Sequence, residues 1–311
     1  MSKKIKYVIG LIFVISILYN IKIYNFSYKD LFLKQYYIKY SVFFAIVIFA
    51  LFLTSIRFLL ILKKINIKIN SLDSFKLSIN QFYFNTLLFS GAGEIDKYFQ
   101  KKIIKIRSDQ MLASILMERL FGALSSALLL LLSIFFLLFL QKKLIIIIAM
   151  LLLLMLFFFF GSYFFSFLLR IPYLSYFNNI TLFFFKKKKL LLNIFILSLL
   201  IQLFSITMYY YIFNFYFKTS LVFLLIAVPI FNFISLLPIT VAGIGVRDFF
   251  FGSIFFYFGI NYINVIPATL LIGMFILKTA LLLFIIKNLL SYLKFFFLRK
   301  DVAKIDVKKI Q

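Results

Sequence analysis

The feature that most constrains this chain is a series of apolar runs, recurring along nearly its whole length, most of them long enough to cross a bilayer. A spanning helix needs about 20 mostly apolar residues. Runs of that kind cover 7–24, 40–62, 111–140, 144–169, 190–216, 219–237 and 263–286, with a short one at 249–259. The expected fold is therefore all-α: a polytopic helical membrane protein with about eight crossings, which agrees with a 65% hydrophobic composition and a mean hydropathy of +1.10.

The formal net charge of +26 does not mark a nucleic-acid binder, because the lysines lie in short clusters between apolar runs. Such clusters mark cytoplasmic loops. With the N-terminus inside, 25 of the 35 basic residues fall on the cytoplasmic side, including those from Lys63 to Arg107, against 7 outside. Both termini are expected in the cytoplasm, in a plasma (inner) membrane. Lys3, Lys4 and Lys6 precede the first apolar run as in a signal peptide, but no small-x-small cleavage site follows, so an uncleaved first span is expected. Residues 1–298 form a single transmembrane domain and 299–311 a charged, frayed cytoplasmic tail. Absence of Cys and His removes thiolate ligands, disulfides and the commonest general base.

One apolar stretch does not read as an ordinary span. Residues 229–251, PIFNFISLLPITVAGIGVRDFFF, carry Pro229 and Pro238, a G-x-G at Gly243 and Gly245, and the adjacent Arg247 and Asp248. A helix broken at membrane depth leaves backbone groups unpaired, which hydrocarbon tolerates only where protein or water covers them. The stretch is thus expected to be re-entrant or interrupted and to line a polar site. Residues 84–96, FNTLLFSGAGEID, echo it: Phe, a second residue, a small polar residue, Leu-Leu, then G-x-G at Gly91 and Gly93, with an acid three residues after the second glycine. The echo follows a region, 71–88, too short and polar to span, which is either an interfacial amphipathic helix or a half-inserted one. Paired broken helices point to a midplane site in transporters, so 40–140 and 190–290 read as two repeats. Chance likeness in Phe/Leu-rich sequence is the alternative.

Ionisable residues within spans are functional candidates because each is costly in hydrocarbon unless paired or hydrated. Arg247 and Asp248, and Glu94 and Asp96, directly follow the two breaks. Arg57 lies one to two turns before Lys63 and is near enough to snorkel. Glu118 and Arg119 open the third span; adjacent residues project about 100° apart, so each needs its own partner if buried. Lys278 either faces a hydrated cavity or snorkels. Glycines at the breaks permit turns that let backbone amides point at an anion, and Arg holds phosphate with a bidentate fork.

With these residues in view, the chain resembles the transmembrane (flippase) region of lysylphosphatidylglycerol synthases and related stand-alone membrane proteins. The resemblance rests on LPITVAGIGVRD at 237–248 against the family's Pro…Gly-x-Gly-Val-Arg-Glu pattern, on FNTLLFSGAGE at 84–94, on Arg57 and on the Glu118-Arg119 pair. The chain departs from that pattern at Phe89, Asp96, Lys97, Gly122 and Asp248. The resemblance implies an inner-membrane protein that binds a lipid or lipid-linked intermediate and moves it between leaflets. Substrate contacts are then expected from Arg57, Asn85, Gly91, Gly93, Glu94, Glu118, Arg119, Pro238, Gly243, Gly245, Arg247 and Asp248. No soluble aminoacyl-transfer domain follows, so lysyl transfer is not expected; neither a cofactor nor a metal is implied, and no ATP-binding loop is present. The expected partners are membrane lipids and a separate lipid-modifying enzyme. Two alternatives stay open: a lipid-linked glycosyl-transfer enzyme using Glu94 and Asp96, and a non-transporting accessory subunit.

Overall fold

A computed structural model of the chain describes residues 34–65, 67, 69–88, 90–101, 106–140, 188–235, 246–260 and 262–308. Among them all regular structure is helical: α1 (Lys34–Lys64), α2 (Ser71–Leu87), α3 (Ala92–Phe99), α4 (Ser108–Leu140), α5 (Lys188–Tyr216), α6 (Leu221–Ile234), α7 (Val246–Tyr257) and α8 (Tyr262–Lys308). Four stretches are long and apolar enough to cross a membrane: Tyr37–Lys64, Ser108–Phe136, Lys189–Tyr216 and Val265–Leu289. The expected spans at 7–24 and 144–169 lie outside the described residues.

Two boundaries differ from the sequence reading. The run at 219–237 yields a helix of only 14 residues, which ends at Ile234. At 1.5 Å per residue α6 is about 21 Å long, short of the hydrocarbon thickness. Conversely, α8 continues through the charged tail to Lys308 rather than fraying after 298. No glycine or proline intervenes there to stop it.

The order of elements repeats. Among the described residues each half runs long helix, short helix, short helix, long helix: α1 to α4, then α5 to α8. Packing between halves is reciprocal, since α2 lies on α8 while α6 lies on α4, and the two opening helices α1 and α5 pack together. At the first contact Tyr83 stacks on Phe284 with centroids 3.9 Å apart, and Lys287 donates to Asn80 Oδ1. At the second, the Ser133 hydroxyl of α4, 2.6 Å from the Leu129 carbonyl of its own helix, also lies 3.1 Å from the Leu225 carbonyl. That carbonyl is four residues before Pro229, whose ring nitrogen has no hydrogen to give it. A hydroxyl from the neighbouring helix, its one hydrogen shared with Leu129, thus partly covers the backbone acceptor that the proline leaves open. Ser133→Ala is expected to lower the thermal unfolding midpoint in detergent by the equivalent of about 1 kcal/mol; no shift would mean the carbonyl is satisfied without it.

In lipid the apolar faces gain little by merely meeting each other, so close packing holds the bundle. The largest buried cluster joins α1, α5, α6, α7 and α8 around Phe43, Phe213, Phe251, Phe255 and Leu271. Aromatic rings interlock there: Phe251 lies 5.0 Å from Tyr209 and 5.2 Å from Phe213. These contacts anchor α7, and with it the position of Arg247 at its start.

Candidate functional site

The first break is built by Asn85. The chain leaves α2 and turns through Gly91 at φ +103°, a left-handed conformation that side chains disfavour. The Asn85 Oδ1 accepts from the Gly91 amide at 3.0 Å and from the Gly93 amide at 2.7 Å. Gly93 then lies so close to α2 that a Cβ would stand 2.1 Å from the Gln81 carbonyl oxygen. Both glycine amides are therefore used inside the break. In this structure both amides are given to the Asn85 side chain, and Gly93 serves helix contact.

This turn places Glu94 and Lys97 one helical turn apart on α3, and a polar chain runs from them. Glu118, 3% exposed, accepts from Arg57 Nη2 at 3.0 Å and from Lys97 Nζ at 2.8 Å. Lys97 also donates to Gln81 Oε1 at 3.0 Å, Gln81 donates to Glu94 Oε1 at 3.1 Å, and that oxygen pairs with Arg119 Nη2 at 3.1 Å. Arg57 completes the chain with Ser198 of α5 at 3.2 Å. Glu118 and Arg119 thus take separate partners, as their angular separation on the helix requires. Arg57 is buried and turned to Glu118 and does not snorkel; a carboxylate in reach offers a better charge partner than the distant interface.

In the second half Arg247 begins α7 and is 1% exposed. Its guanidinium packs against α8 where Gly273 leaves room: a Cβ there would stand 2.3 Å from Nη2. It lines the same cavity as Tyr209, and its Nε lies 3.8 Å from Asp248 Oδ1. Nearby, Asn232 donates to Gln202 Oε1 at 2.7 Å and Gln202 donates to the Gly122 carbonyl at 3.3 Å, tying α6, α5 and α4 together.

These groups surround one cavity of about 500 Å³ to which all eight described helices contribute. Arg57, Asn85, Glu94, Glu118, Arg119 and Arg247 line it. Gly91 adjoins it, a Cβ there lying 3.4 Å from Arg119 Nη2, whereas Gly93 is buried against α2 and Asp248 sits behind Arg247. Pro238, Gly243 and Gly245 lie outside the described residues. Lys278 does not join the cavity; it is exposed, with its ammonium 4.3 Å above the Tyr40 ring. Asp96 takes Gln100 as a partner while Glu94 takes Gln81 and Arg119, so the two acids turn to different groups.

Sequence reasoning missed Lys97, which the charge count assigned to a loop and which is completely buried. Its spacing of three from Glu94 was the available signal. Gln81, Gln202, Asn232 and Tyr209 were also missed, as was Gly273, because isolated polar or small residues in apolar helices are common.

Chemically, the cavity offers two guanidinium groups, Arg119 from the first half and Arg247 from the second, among hydroxyl and amide groups and apolar walls that include Phe82, Phe231 and Ile276. Arg119 retains 32% side-chain exposure and shares its carboxylate, whereas Arg57 and Lys97 are held by Glu118. A model of the family described as the lysylphosphatidylglycerol synthase TM region matches residues 7–283. No curated protein and no solved structure matches the chain.

Proposed function

The chain belongs to the lysylphosphatidylglycerol synthase transmembrane-region family, and from that premise we propose that it binds the anionic headgroup of a phospholipid or lipid-linked intermediate in the cavity and moves it between leaflets. The observation that carries the reading is the pairing of Arg119 and Arg247, one from each half, across a single cavity of a multi-pass helical membrane protein. Guanidinium groups with oriented donors match phosphate oxygens. Apolar walls beside them suit acyl or polyprenyl chains. Reciprocal packing of the halves supports movement, because rocking one repeat against the other exposes a shared site to alternate faces. The protein acts in this reading at the plasma membrane with both termini in the cytoplasm, as the basic loops favour, and it passes lipid to or from a separate lipid-modifying enzyme without itself catalysing a reaction.

The test is lipid movement in vesicles containing the purified chain and an acyl-labelled anionic phospholipid, with a membrane-impermeant quencher added outside. Quenching is expected to proceed beyond the outer leaflet. Quenching that stops there, as in protein-free vesicles, contradicts translocation and leaves the accessory-subunit alternative. In the same assay Gly273→Ala is expected to slow movement by about tenfold, since a methyl group displaces the Arg247 guanidinium and removes a charge-assisted bond. Its thermal midpoint should hardly change, because the clashing atom is the end of a flexible side chain.

A further inference from the structure

We propose that Glu94 binds a proton together with the anionic headgroup and carries it through the cavity, so that lipid movement is coupled to a proton gradient as electroneutral cotransport. The inference rests on the reading of the cavity as a headgroup site. Depth and pairing carry it. The cavity lies at mid-membrane: among its lining residues Gly122, Gln202 and Ile276 stand midway along the spans Ser108–Phe136, Lys189–Tyr216 and Val265–Leu289. An anion crossing that depth alone is opposed by the low dielectric, and its movement feels the membrane potential. A proton that travels with it removes the net charge. Among the described acids of the cavity and its ion-pair chain, Glu94 is the one placed to hold that proton. Glu118 gives an oxygen to each of two cations and would strand both by becoming neutral. Asp248 stands behind Arg247, outside the cavity lining.

Glu94 is differently placed at both oxygens. Oε1 is shared by Gln81 and Arg119, and Oε2 is buried with no hydrogen-bond partner among the described residues. Arg119 lines the cavity and remains part-exposed, so an arriving phosphate competes with Glu94 for it. The charged groups around Glu94 are Arg119 and Glu118 of α4, Arg57 of α1 and Lys97 of α3, while α2 presents the uncharged Gln81. Arg57 and Lys97 are held by Glu118, so neither replaces Arg119. Phosphate binding therefore leaves a carboxylate beside a second anion with one amide donor. A hydronium proton taken onto Oε2 from the water of the loading side removes the repulsion and turns an oxygen without a donor into a donor. Two unit charges about 6 Å apart at an effective dielectric constant of about 20 alter each other's occupancy by roughly 100-fold. Linkage makes the effect mutual: the proton tightens the lipid as the lipid tightens the proton, so affinity rises as pH falls and the gain is lost as pH rises. Release of lipid on the other side lets Arg119 return to Oε1, which expels the proton there.

The probe is an acyl-labelled phosphatidylmethanol, whose single phosphodiester charge does not titrate between about pH 5 and pH 8, so any pH dependence belongs to the protein. Its affinity for the full chain in phosphatidylcholine nanodiscs is expected to rise by about tenfold to 100-fold from about pH 8 to pH 5. In Glu94→Gln, whose amide stands for the protonated acid, affinity should be flat across that range and as high as that of the unaltered protein at its acid end. Infrared difference spectra of the unaltered protein should gain a protonated-carboxyl band on lipid binding, a readout independent of whether the variant folds. In vesicles with the interior more alkaline than the exterior, the label should collect in the inner leaflet beyond its level in protein-free vesicles. The reversed gradient should expel it, a proton ionophore should abolish both shifts, and a potassium diffusion potential should cause none. Affinity that is flat with pH in the unaltered protein, or no carboxyl band, overturns the proton site. A pH dependence kept in Glu94→Gln overturns its assignment to Glu94. Label that moves but ignores the pH gradient overturns the coupling. The underlying reading fails separately: no binding at any pH defeats the headgroup site and the inference with it, whereas pH-linked binding with no movement in any gradient defeats transport and leaves the proton site standing.

Discussion

Glu118→Gln is expected to destabilise the fold by about 3–5 kcal/mol, the largest effect on stability of any substitution considered, because it leaves two cations buried together without a counter-ion. Arg57 and Lys97 meet on the Glu118 carboxylate at 3.0 and 2.8 Å, and among the described residues neither has a second carboxylate partner. Lys97 is wholly buried, with Nζ 3.5 Å over the Phe58 ring, so it has no route to water. Ring attraction is worth about 2 kcal/mol for a desolvated cation and does not replace a carboxylate. Removing one cation should be milder. Lys97→Met keeps an unbranched apolar stem of similar length and leaves Arg57 and Glu118 as a neutral pair. Accordingly Glu118→Gln combined with Lys97→Met should unfold at a higher temperature than Glu118→Gln alone, with thermal unfolding in nanodiscs as the measurement. If Glu118→Gln unfolds at the temperature of the unaltered protein, the ion-pair chain does not hold α1, α3 and α4 together.

Arg247→Ala should have the largest effect on lipid movement, a fall of roughly 100-fold, from losing at least two charge-assisted bonds to phosphate. Its loss of stability should be smaller than that of Glu118→Gln, because Arg247 stands at the start of a short helix and meets its cavity rather than closing a chain of buried charges. Arg247→Lys should recover part of the rate and no more: an ammonium supplies charge but not the planar fork. The ordering Ala, then Lys, then Gly273→Ala, then the unaltered protein ranks the variants by how much of the guanidinium's position survives. Equal rates for Arg247→Ala and the unaltered protein, with equal amounts of folded protein in the vesicles, would remove Arg247 from the mechanism.

The long helices were legible in the sequence because apolar length is a local property, and four of the expected spans appear within a few residues of their boundaries. The length of α6 was not. Apolar sequence continues past Ser235 to Leu237, so apolar length alone does not mark the end of regular helix at Ile234. The repeat was read from two short glycine-bearing segments, and of the second only the flanking helices α6 and α7 lie among the described residues. What Gly91 and Gly93 do in this structure was not legible. Asn85 lies six residues before Gly91, and nothing in the composition distinguishes an amide oxygen that folds back from a ligand that arrives. Lys97 was hidden for a different reason: its burial depends on Glu118, 21 residues away, coming alongside. Gly273 shows the same limit more sharply, since its role exists only because Arg247 from another helix rests against it.

The central claim is that phosphate binds between the two halves, on Arg119 and Arg247 together. The most direct measurement is a structure of the protein in nanodiscs containing an anionic phospholipid. The account predicts a lipid phosphate within hydrogen-bond reach of both guanidinium groups, with Arg119 drawn from Glu94 and the acyl chains leaving along the apolar wall. A cavity without phosphate in a structure where lipid is seen only around the outer surface of the bundle would contradict it.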